Sequence, residues 1–469
     1  MTTLPIIKQP IHKAHLPFLM YISITSALGG FLWGFDAIVI SGTIDTVKAQ
    51  FTLSSFTEGL FVSSGLAGAV MGSALAGWLS DRFGRSRNLI LAAALLLISA
   101  FGSGFSSSIW QLIISRWIGG LGVGISAMVC PLYISEISPA HLRGRLVTVF
   151  QFAITIGIMV ALLNNVALHR FAQYMTERVH EDTFLKWFLV DETWRAMFAT
   201  ELIPGVIFLG LVLTLPESPR WLIKSGKKEP ANKILKRIFI QGAEQEYMEI
   251  QQTIAQEDAS RKRFIDVFAP RYRKILLVAV ALAIFSQFSG INVVFYYGKS
   301  LLKDAGLKPD SALSGAAVIG FFNMIFTIIA MWLVDKIGRC KLMQIGTIGA
   351  IVCLVAIGAM FSGSSTILII FMCGFVACFA FSLGPIKFIF ASEIFPTNIR
   401  SHAMSIVVLS MWLVDTLVGQ FFPLLRDSVG ASATFFIFAG ILVPQIFIVW
   451  KVMPETAGKS LEEIESWYN

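Results

Sequence analysis

The sequence contains little charge for its length. Of 469 residues, only 14% are Asp, Glu, Lys or Arg, while 55% are hydrophobic. A soluble domain carries about 25% charged residues, so the composition excludes an ordinary soluble protein. It indicates an integral membrane protein, with the lipid bilayer as a partner.

Cysteine is also scarce, with five residues and no CxxC spacing. This excludes a disulfide framework and gives no sign of a metal site. The sequence has no GxxxxGK[ST] phosphate-binding loop, and no nucleophile–base pair or metal-ligand set stands out. We therefore expect no cofactor and no enzyme activity.

Targeting and glycosylation signals are missing as well. The first seventeen residues are polar and contain no A-x-A cleavage site, so no removable signal peptide is predicted. The chain has no N-x-S/T glycosylation sequon, and both tails are short. These features favour a plasma membrane location, and within that class a bacterial inner membrane.

The sequence does contain twelve apolar runs, each close to the 20 residues that a helix needs to cross a bilayer. They lie at about 18–42, 58–80, 88–106, 110–134, 146–170, 194–215, 275–302, 311–335, 341–362, 365–391, 402–425 and 431–453. A long polar stretch separates the first six from the last six. The pattern predicts an all-α membrane protein with a six-plus-six arrangement.

This arrangement predicts five segments along the chain. Helical periodicity in 231–240 and near 244–254 predicts short helices between the two sets of runs. The segments are an N-terminal tail at 1–17, a six-helix bundle at 18–215, linker helices at 216–274, a second six-helix bundle at 275–453 and a C-terminal tail at 454–469.

Lys and Arg are unevenly distributed between the two sides. With the N-terminus inside, the inner tails and loops hold 26 of the 37 Lys and Arg residues, and the outer ones hold eight. Because such an excess marks the cytoplasmic side, both termini are predicted to be cytoplasmic. The net charge of +8 therefore reflects topology, and no nucleic-acid partner is expected.

Three short motifs occur twice, at matching places in the two halves. DRFGR at 81–85 returns as DKIGR at 335–339, SEI at 135–137 returns at 392–394, and PES at 216–218 returns as PET at 454–456. Such repeats predict two halves related by an axis along the membrane normal. They also predict a binding site between the halves, near the membrane midplane.

One acid lies inside the first apolar run, in the stretch LGGFLWGFDAIVISG at 28–42. An ionised carboxylate at membrane depth costs about 2.5 kcal/mol or more, so Asp36 needs a partner or water. The alternative is that Asp36 caps a shorter hydrophobic segment. None of the six histidines falls in the middle of a run, which leaves Asp36 as the leading candidate for proton binding.

The chain resembles the sugar porter family of the major facilitator superfamily over nearly its whole length. The resemblance rests on the repeated motifs and on RWIGGLGVG at 116–124, PLYISEISPAHLRG at 131–144, PESPRWL at 216–222, QFSGINVVFYY at 287–297 and PETAGKSLEE at 454–463. It implies a major facilitator fold, with twelve transmembrane helices in two six-helix bundles joined by cytoplasmic linker helices.

The same resemblance implies a function. It implies a secondary active transporter that imports a monosaccharide or polyol (xylose, a hexose or an inositol-like compound) with protons by alternating access. The alternatives are a passive sugar facilitator and, less favoured, a transporter-like nutrient sensor. The implied partners are a small neutral sugar or polyol and protons, and we expect the monomer to be the functional unit.

In proton-coupled members, the acid of the first helix faces an arginine of the fourth, and here those residues are Asp36 and Arg116. A carboxylate beside a guanidinium stays ionised, and it can accept a proton when the pair separates. Passive facilitators of the family lack this acid, so Asp36 favours symport. The alternative is a static structural ion pair.

The resemblance also implies a sugar site of amide and aromatic side chains, which offer a neutral polyol hydrogen bonds and flat surfaces. The matching residues are Gln151, Gln287, Asn292, Tyr296, Asn323 and Trp412, and Phe388 can still stack on a sugar although it replaces a tryptophan. The chain departs from the family's pattern at Ser286, Ile158, Phe388 and Asp415, where glutamine, another polar residue, tryptophan and asparagine are usual. Each matching residue could instead pack or hydrogen bond between helices.

Lys387 and Asp415 are a cation and an anion within successive apolar runs near this site. Each alone is costly in the membrane, so we expect the two to neutralise each other. Alternatively, one of them contacts a charged sugar or cyclitol, or acts as a second proton site.

Charged residues at the inner ends of the runs match the family's cytoplasmic network, whose ion pairs form when that side closes and break when it opens. The expected gate residues are Asp81, Arg85, Glu136, Arg143, Arg145, Glu217, Arg220, Asp335, Arg339, Glu393, Arg400 and Glu455. The alternative is that these charges only mark topology and solvated loop ends.

Overall fold

The computed structural model describes residues 15–176, 178, 183–260, 264–361, 365–456, 459 and 463. Within these ranges, twelve helices are long and apolar enough to cross a membrane, which confirms the predicted number. They are α1 (Leu16–Gly42), α2 (Ser55–Phe83), α3 (Arg85–Gly104), α4 (Ile109–Ile137), α5 (His141–Thr176), α6 (Thr193–Val212), α7 (Pro270–Tyr296), α8 (Pro309–Val334), α9 (Arg339–Met360), α10 (Thr366–Ile394), α11 (Ile399–Val429) and α12 (Ala431–Lys451).

Three short helices connect α6 to α7, at Pro219–Lys224, Lys228–Ile238 and Ala243–Ser260. The second buries Ala231, Leu235 and Ile238, a spacing of three and four residues that places one apolar face inward. Its end is attached to the start of α1, where the backbone N–H of His15 donates to the Ile238 carbonyl oxygen at 2.8 Å. The predicted linker helices are therefore present.

Helix α7 is interrupted at Gly290, a residue of the QFSGINVVFYY motif. The backbone there has a φ of +77°, in the left-handed region that glycine enters without steric cost. The helix stops at Phe288, resumes over Ile291–Tyr296 and is followed by a short helix at Gly298–Asp304. Irregular backbone at membrane depth is tolerated only where protein or a cavity surrounds it.

Glycines bring α2 and α4 into close contact. A Cβ atom on Gly120 would lie 2.0 Å from the Gly65 carbonyl oxygen, and one on Gly68 would lie 2.2 Å from the Trp117 carbonyl oxygen. Small residues are what allow helix backbones to approach this closely in a membrane. The contact places Arg116, one turn before Gly120, against the surface of α2.

The first six helices touch the last six chiefly where α2 packs on α11 and α5 packs on α8. Aromatic rings add to this contact near the middle of the molecule, where the ring centroids of Trp33 on α1 and Trp412 on α11 are 5.5 Å apart. The space between the two sets of helices is therefore narrow at this depth.

The close contact of α2 with α4 predicts that Gly120→Ala destabilises the protein. The added methyl group has no room beside a backbone carbonyl, and overpacking of this kind costs about 1–3 kcal/mol. We expect the apparent unfolding temperature in detergent to fall by several degrees. Gly77→Ala on α2 is the control, because a Cβ atom there meets nothing within 4 Å. Equal unfolding temperatures for the two variants would contradict the packing argument.

Candidate functional site

The centre of the first six helices contains a buried ion pair. The Nη1 atom of Arg116 on α4 lies 2.6 Å from Oδ1 of Asp36 on α1, and both residues are 3% exposed. The same Nη1 atom donates to the Asp36 backbone carbonyl oxygen at 3.0 Å. The aromatic ring of Phe198 covers the guanidinium, with its centroid 5.5 Å from Cζ. The structure therefore brings together the two residues that the sequence pairs.

A third charged residue adjoins this pair and is absent from the sequence prediction. Glu201 on α6 is 1% exposed, and its carboxyl group lies close enough to that of Asp36 for the two to interact. Its Oε1 atom has no hydrogen-bond partner among the described residues. The missed signal was an acid inside an apolar run, the feature that singled out Asp36. One guanidinium balances one carboxylate, so the second carboxyl group offers a place for a proton.

A small cavity of about 20 Å³ lies beside the ion pair, between the two sets of helices. Space of this size holds about one water molecule. Its lining includes Asp36 and Arg116 from the first set, and Tyr296 and Trp412 from the second. A water molecule there would connect the buried carboxylate with the opposite half of the protein.

The predicted sugar-site residues differ in exposure. Gln287, Tyr296, Asn323 and Trp412 are buried, Asn292 and Phe388 are half-buried, and Gln151 is exposed. In the described structure the lining of the cavity includes Tyr296 and Trp412 but not the other five. The Oε1 atom of Gln287 is buried without a hydrogen-bond partner, so this amide has an acceptor free for a ligand.

Lys387 and Asp415 are each 3% exposed but do not form a direct ion pair. The Lys387 ammonium group donates instead to Oγ of Ser286 at 3.1 Å. The Asp415 carboxylate faces the side chains of Asn292 and Tyr296. The structure thus places both charges near the predicted sugar residues, without the direct contact that mutual neutralisation would give.

The cytoplasmic network of the first half is centred on Arg85. Its guanidinium forms two parallel hydrogen bonds of 2.8 Å with the buried Glu136 carboxylate and lies 3.6 Å from the exposed Asp81. Glu217 accepts from the backbone N–H of Arg85 at 2.7 Å, at the N-terminal end of α3, where the helix dipole favours an anion. The arginine therefore joins the ends of α3 and α4.

The remaining predicted gate residues of this half lie around the network. Arg143 donates to the Ser135 carbonyl oxygen at 3.0 Å, and Arg145 is exposed. Arg143 and Arg220 line a cavity of about 290 Å³ together with Arg85 and Glu136. This end of the first half is accordingly open and basic.

The second half repeats the network, as the duplicated motifs predict. Arg339 donates to both oxygens of Glu393 at 2.8 and 3.2 Å. Glu455 accepts from the backbone N–H of Arg339 at 2.9 Å. Arg400 donates to the Phe395 carbonyl oxygen at 3.0 Å. The side chain of Asp335 lies outside the described part of the structure.

A second charged cluster, which the sequence does not predict, lies at the end of the helices opposite the Arg85 and Arg339 networks, here called the remote end. Glu58 on α2 is 1% exposed and contacts Lys48 at 2.5 Å and Arg426 on α11 at 3.4 Å. Ser55 donates to Asp427 nearby. These contacts join α2 to α11, so they close this end between the two sets of helices.

The neighbouring loops reinforce the closure. Asp45 lies 3.8 Å from Lys299 and 3.9 Å from Lys303, and Ser300 donates to its carboxylate at 2.7 Å. Lys299 also donates to the Gly42 carbonyl oxygen at 3.1 Å. Burial lowers the pKa of Lys299, and the nearby Asp45 carboxylate opposes that shift.

Comparisons with known proteins agree with this architecture. The sequence matches the family described as "Sugar (and other) transporter" over residues 22–468. It is 39% identical to an arabinose-proton symporter of Bacillus subtilis, covering 97% of this chain and 96% of that protein. It is 35% identical to a D-xylose-proton symporter of Escherichia coli, covering 96% of this chain and 95% of that protein.

A solved structure is similar in fold as well as in sequence. The inward-open conformation of the xylose transporter XylE from E. coli matches with a TM-score of 0.80 and 34% identity, covering 96% of this chain and all of that one. The shared fold is that of the major facilitator superfamily, a superfamily of transporters and not of enzymes. This chain therefore belongs to the sugar transporter family, as a multi-pass membrane transporter of the major facilitator superfamily.

Proposed function

We propose that this protein is a proton-coupled symporter of a monosaccharide or polyol. The observation that carries the proposal is the buried contact between Asp36 and Arg116, beside a cavity at the boundary between the two sets of helices. Two relatives are named as proton symporters of arabinose and of xylose, which supports the same chemistry here. A passive facilitator has no need of an acid buried at this position.

The proton step follows from the electrostatics of the pair. Beside Arg116, the Asp36 carboxylate is stabilised as an anion; away from it, an isolated charge in this apolar setting is costly and the group takes up a proton. Glu201 adds a second carboxyl group within hydrogen-bonding reach, through which that proton can be exchanged. A change in helix position that separates α1 from α4 therefore changes proton occupancy.

The sugar step uses the second set of helices. Gln287, Asn292 and Tyr296 surround the break in α7, and Trp412 on α11 offers an aromatic face. Because Tyr296 and Trp412 also line the cavity that contains Asp36, sugar and proton sites adjoin. We propose that Gln151, Asn323 and Phe388 complete the sugar site when the two sets of helices close around it.

Alternating access requires a closure at each end. The contacts of Glu58 with Arg426 and of Ser55 with Asp427 hold the remote end closed in this structure. At the other end, the Arg85 and Arg339 networks lie at helix ends, where rocking of one half against the other would rearrange them. We propose that the contacts at these two ends set the balance between inward-facing and outward-facing states.

The charge distribution also bears on the orientation of the protein in its membrane. We propose that both termini lie on the cytoplasmic side of a bacterial inner membrane, because Lys and Arg are concentrated at that end. The remote end, closed by Glu58 and Arg426, then faces outward. We further propose that the monomer is the transporting unit, since each proposed site lies within one chain.

The proton step predicts that Asp36→Asn abolishes accumulation but spares exchange. In proteoliposomes with an imposed pH gradient, the internal sugar concentration should equal the external one, because the neutral amide binds no proton. Counterflow of sugar between loaded vesicles and solution should stay within about tenfold of the unmodified protein. Asp191→Asn is the control, because Asp191 is exposed at the loop before α6. Accumulation by Asp36→Asn would contradict the proposal.

The Arg85 network predicts that loss of its buried acid, Glu136, reduces transport more than loss of its exposed acid, Asp81. Glu136→Gln leaves the Arg85 guanidinium buried without its main anion, a loss of about 3–5 kcal/mol. Asp81→Asn removes a contact whose acid is 60% exposed, which contributes about 0–1 kcal/mol. Transport by Glu136→Gln should fall at least tenfold at unchanged expression, and Asp81→Asn should retain most activity. The reverse order would count against this network as a gate.

The remote closure predicts that Glu58→Gln and Arg426→Gln favour the outward-open state. Each removes the ion pair between α2 and α11, whereas Lys48→Gln removes a contact within the first six helices. In a background without native cysteines, a cysteine at Val62, beside the central cavity, reports access from outside through a membrane-impermeant thiol reagent. Labelling should be about tenfold faster for the first two variants than for Lys48→Gln. Equal labelling of all three would argue against the closure.

A further inference from the structure

The proposed proton step does not use two buried charges in the second set of helices. Lys387 lies on α10 and Asp415 on α11, and each is 3% exposed. Charged side chains at membrane depth are costly unless a partner compensates them, and intramembrane charges usually serve a function. The groups that compensate these two charges therefore indicate what the protein binds.

The structure compensates the two charges only in part. The Lys387 Nζ atom donates to Oγ of Ser286 and lies 5.3 Å from the ring centroids of both Phe379 and Phe388. The Asp415 carboxylate faces neutral side chains. The charged atoms of Lys387 and Asp415 influence each other but are more than 4 Å apart. Opposite charges that do not contact each other in an apolar setting can each form a strong hydrogen bond with a polar ligand.

The surroundings of Lys387 and Asp415 match the proposed sugar site. Asp415 faces Asn292 and Tyr296 and follows Trp412 by about one helical turn. On the other side, Lys387 precedes Phe388 in the chain and contacts Ser286, the neighbour of Gln287. The Oε1 atom of Gln287 is buried without a hydrogen-bond partner. The two charges thus lie among the residues that are expected to bind the sugar.

We propose that Lys387 and Asp415 hold the transported sugar between them, the ammonium donating to one ring hydroxyl and the carboxylate accepting from the same or an adjacent hydroxyl. This inference rests on the proposed function, because it takes a neutral sugar as the ligand. An ammonium group only donates and a carboxylate only accepts, whereas a hydroxyl does both. A sugar hydroxyl is therefore a neutral group that can satisfy both charges at once.

The arrangement makes the pair a determinant of specificity. Hydrogen bonds to ionised groups are roughly twice as strong as those between neutral groups. A sugar that lacks the bridging hydroxyl, or presents it in the opposite configuration, leaves a buried charge without its partner. Sites built to hydrogen bond a hydroxyl reject analogues without it by large factors. We expect at least about 30-fold discrimination against the matching deoxy sugar or epimer.

The test measures equilibrium binding to the purified full chain by calorimetry, with no proton gradient. The probes are two pairs of C4 epimers, L-arabinose with D-xylose and D-glucose with D-galactose, together with the 2-, 3- and 4-deoxy derivatives of glucose. The variants are Asp415→Asn, Lys387→Met and the double variant, which carries no net change in charge and so remains useful where a single variant fails to fold. Gln445→Met is the control, because Gln445 is a buried polar residue on α12 that donates to Thr347 on α9.

The unmodified protein and Gln445→Met should share the same ratios of affinity between epimers and between parent and deoxy sugars. Each single variant should bind the preferred sugar at least about tenfold more weakly, and the double variant should reduce the largest ratio to within about threefold. Unchanged ratios in the double variant overturn the inference while leaving sugar transport intact. Tighter binding of D-glucuronate than of D-glucose, lost in Lys387→Met, also overturns it, because Lys387 would then hold a carboxylate. If the unmodified protein binds no neutral sugar, the proposed function fails as well.

Discussion

The cost of placing a charge inside a membrane governs the arrangement of this protein. Asp36 and Arg116 meet that cost by contacting each other at 2.6 Å, with almost no exposure of either side chain. Their contact requires α1 and α4 to lie side by side, and the glycines of α4 make room for α2 beside the same arginine. Glu201 brings α6 to the same point. Four helices of the first half are therefore positioned around one buried electrostatic site.

The second half has the same helix order but a different chemistry. Its end networks reproduce those of the first half, with Arg339, Glu393 and Glu455 arranged as Arg85, Glu136 and Glu217 are. The centre is not repeated. In place of an acid, the first helix of this half contains a left-handed glycine and a set of amide and aromatic side chains. In the proposed mechanism the proton site lies in the first half and most of the sugar site in the second, and the cavity lined by Asp36 and Tyr296 is where they adjoin.

The sequence predicts the features that depend on run length and on motif order. Twelve spanning helices follow from the apolar runs, because the thickness of the bilayer sets the length of each helix. The end networks follow from the duplicated motifs, and the contact of Asp36 with Arg116 follows from the resemblance to the family. The interrupted α7 follows from Gly290. In each case a run length, a motif or the resemblance to the family is enough to predict the position of the residue.

Features that depend on helix rotation could not be predicted in this way. A helix that is apolar on all sides gives no periodic signal for the face that meets its neighbour. For this reason Glu201 was not recognised as a partner of Asp36, nor Glu58 as a partner of Arg426. The same limit applies to Lys387, whose nearest hydrogen-bond partner is Ser286 and not Asp415. Side-chain direction within a packed bundle requires the three-dimensional structure.

In the proposed mechanism, one buried acid couples one proton to each sugar molecule. The most direct test is the steady-state accumulation of the best-bound neutral sugar in proteoliposomes, measured against imposed pH gradients at zero membrane potential. One pH unit is worth about 1.4 kcal/mol, so coupling to one proton predicts a tenfold higher internal concentration for each unit. Equal concentrations inside and outside at every gradient, or a hundredfold rise per unit, would contradict the account.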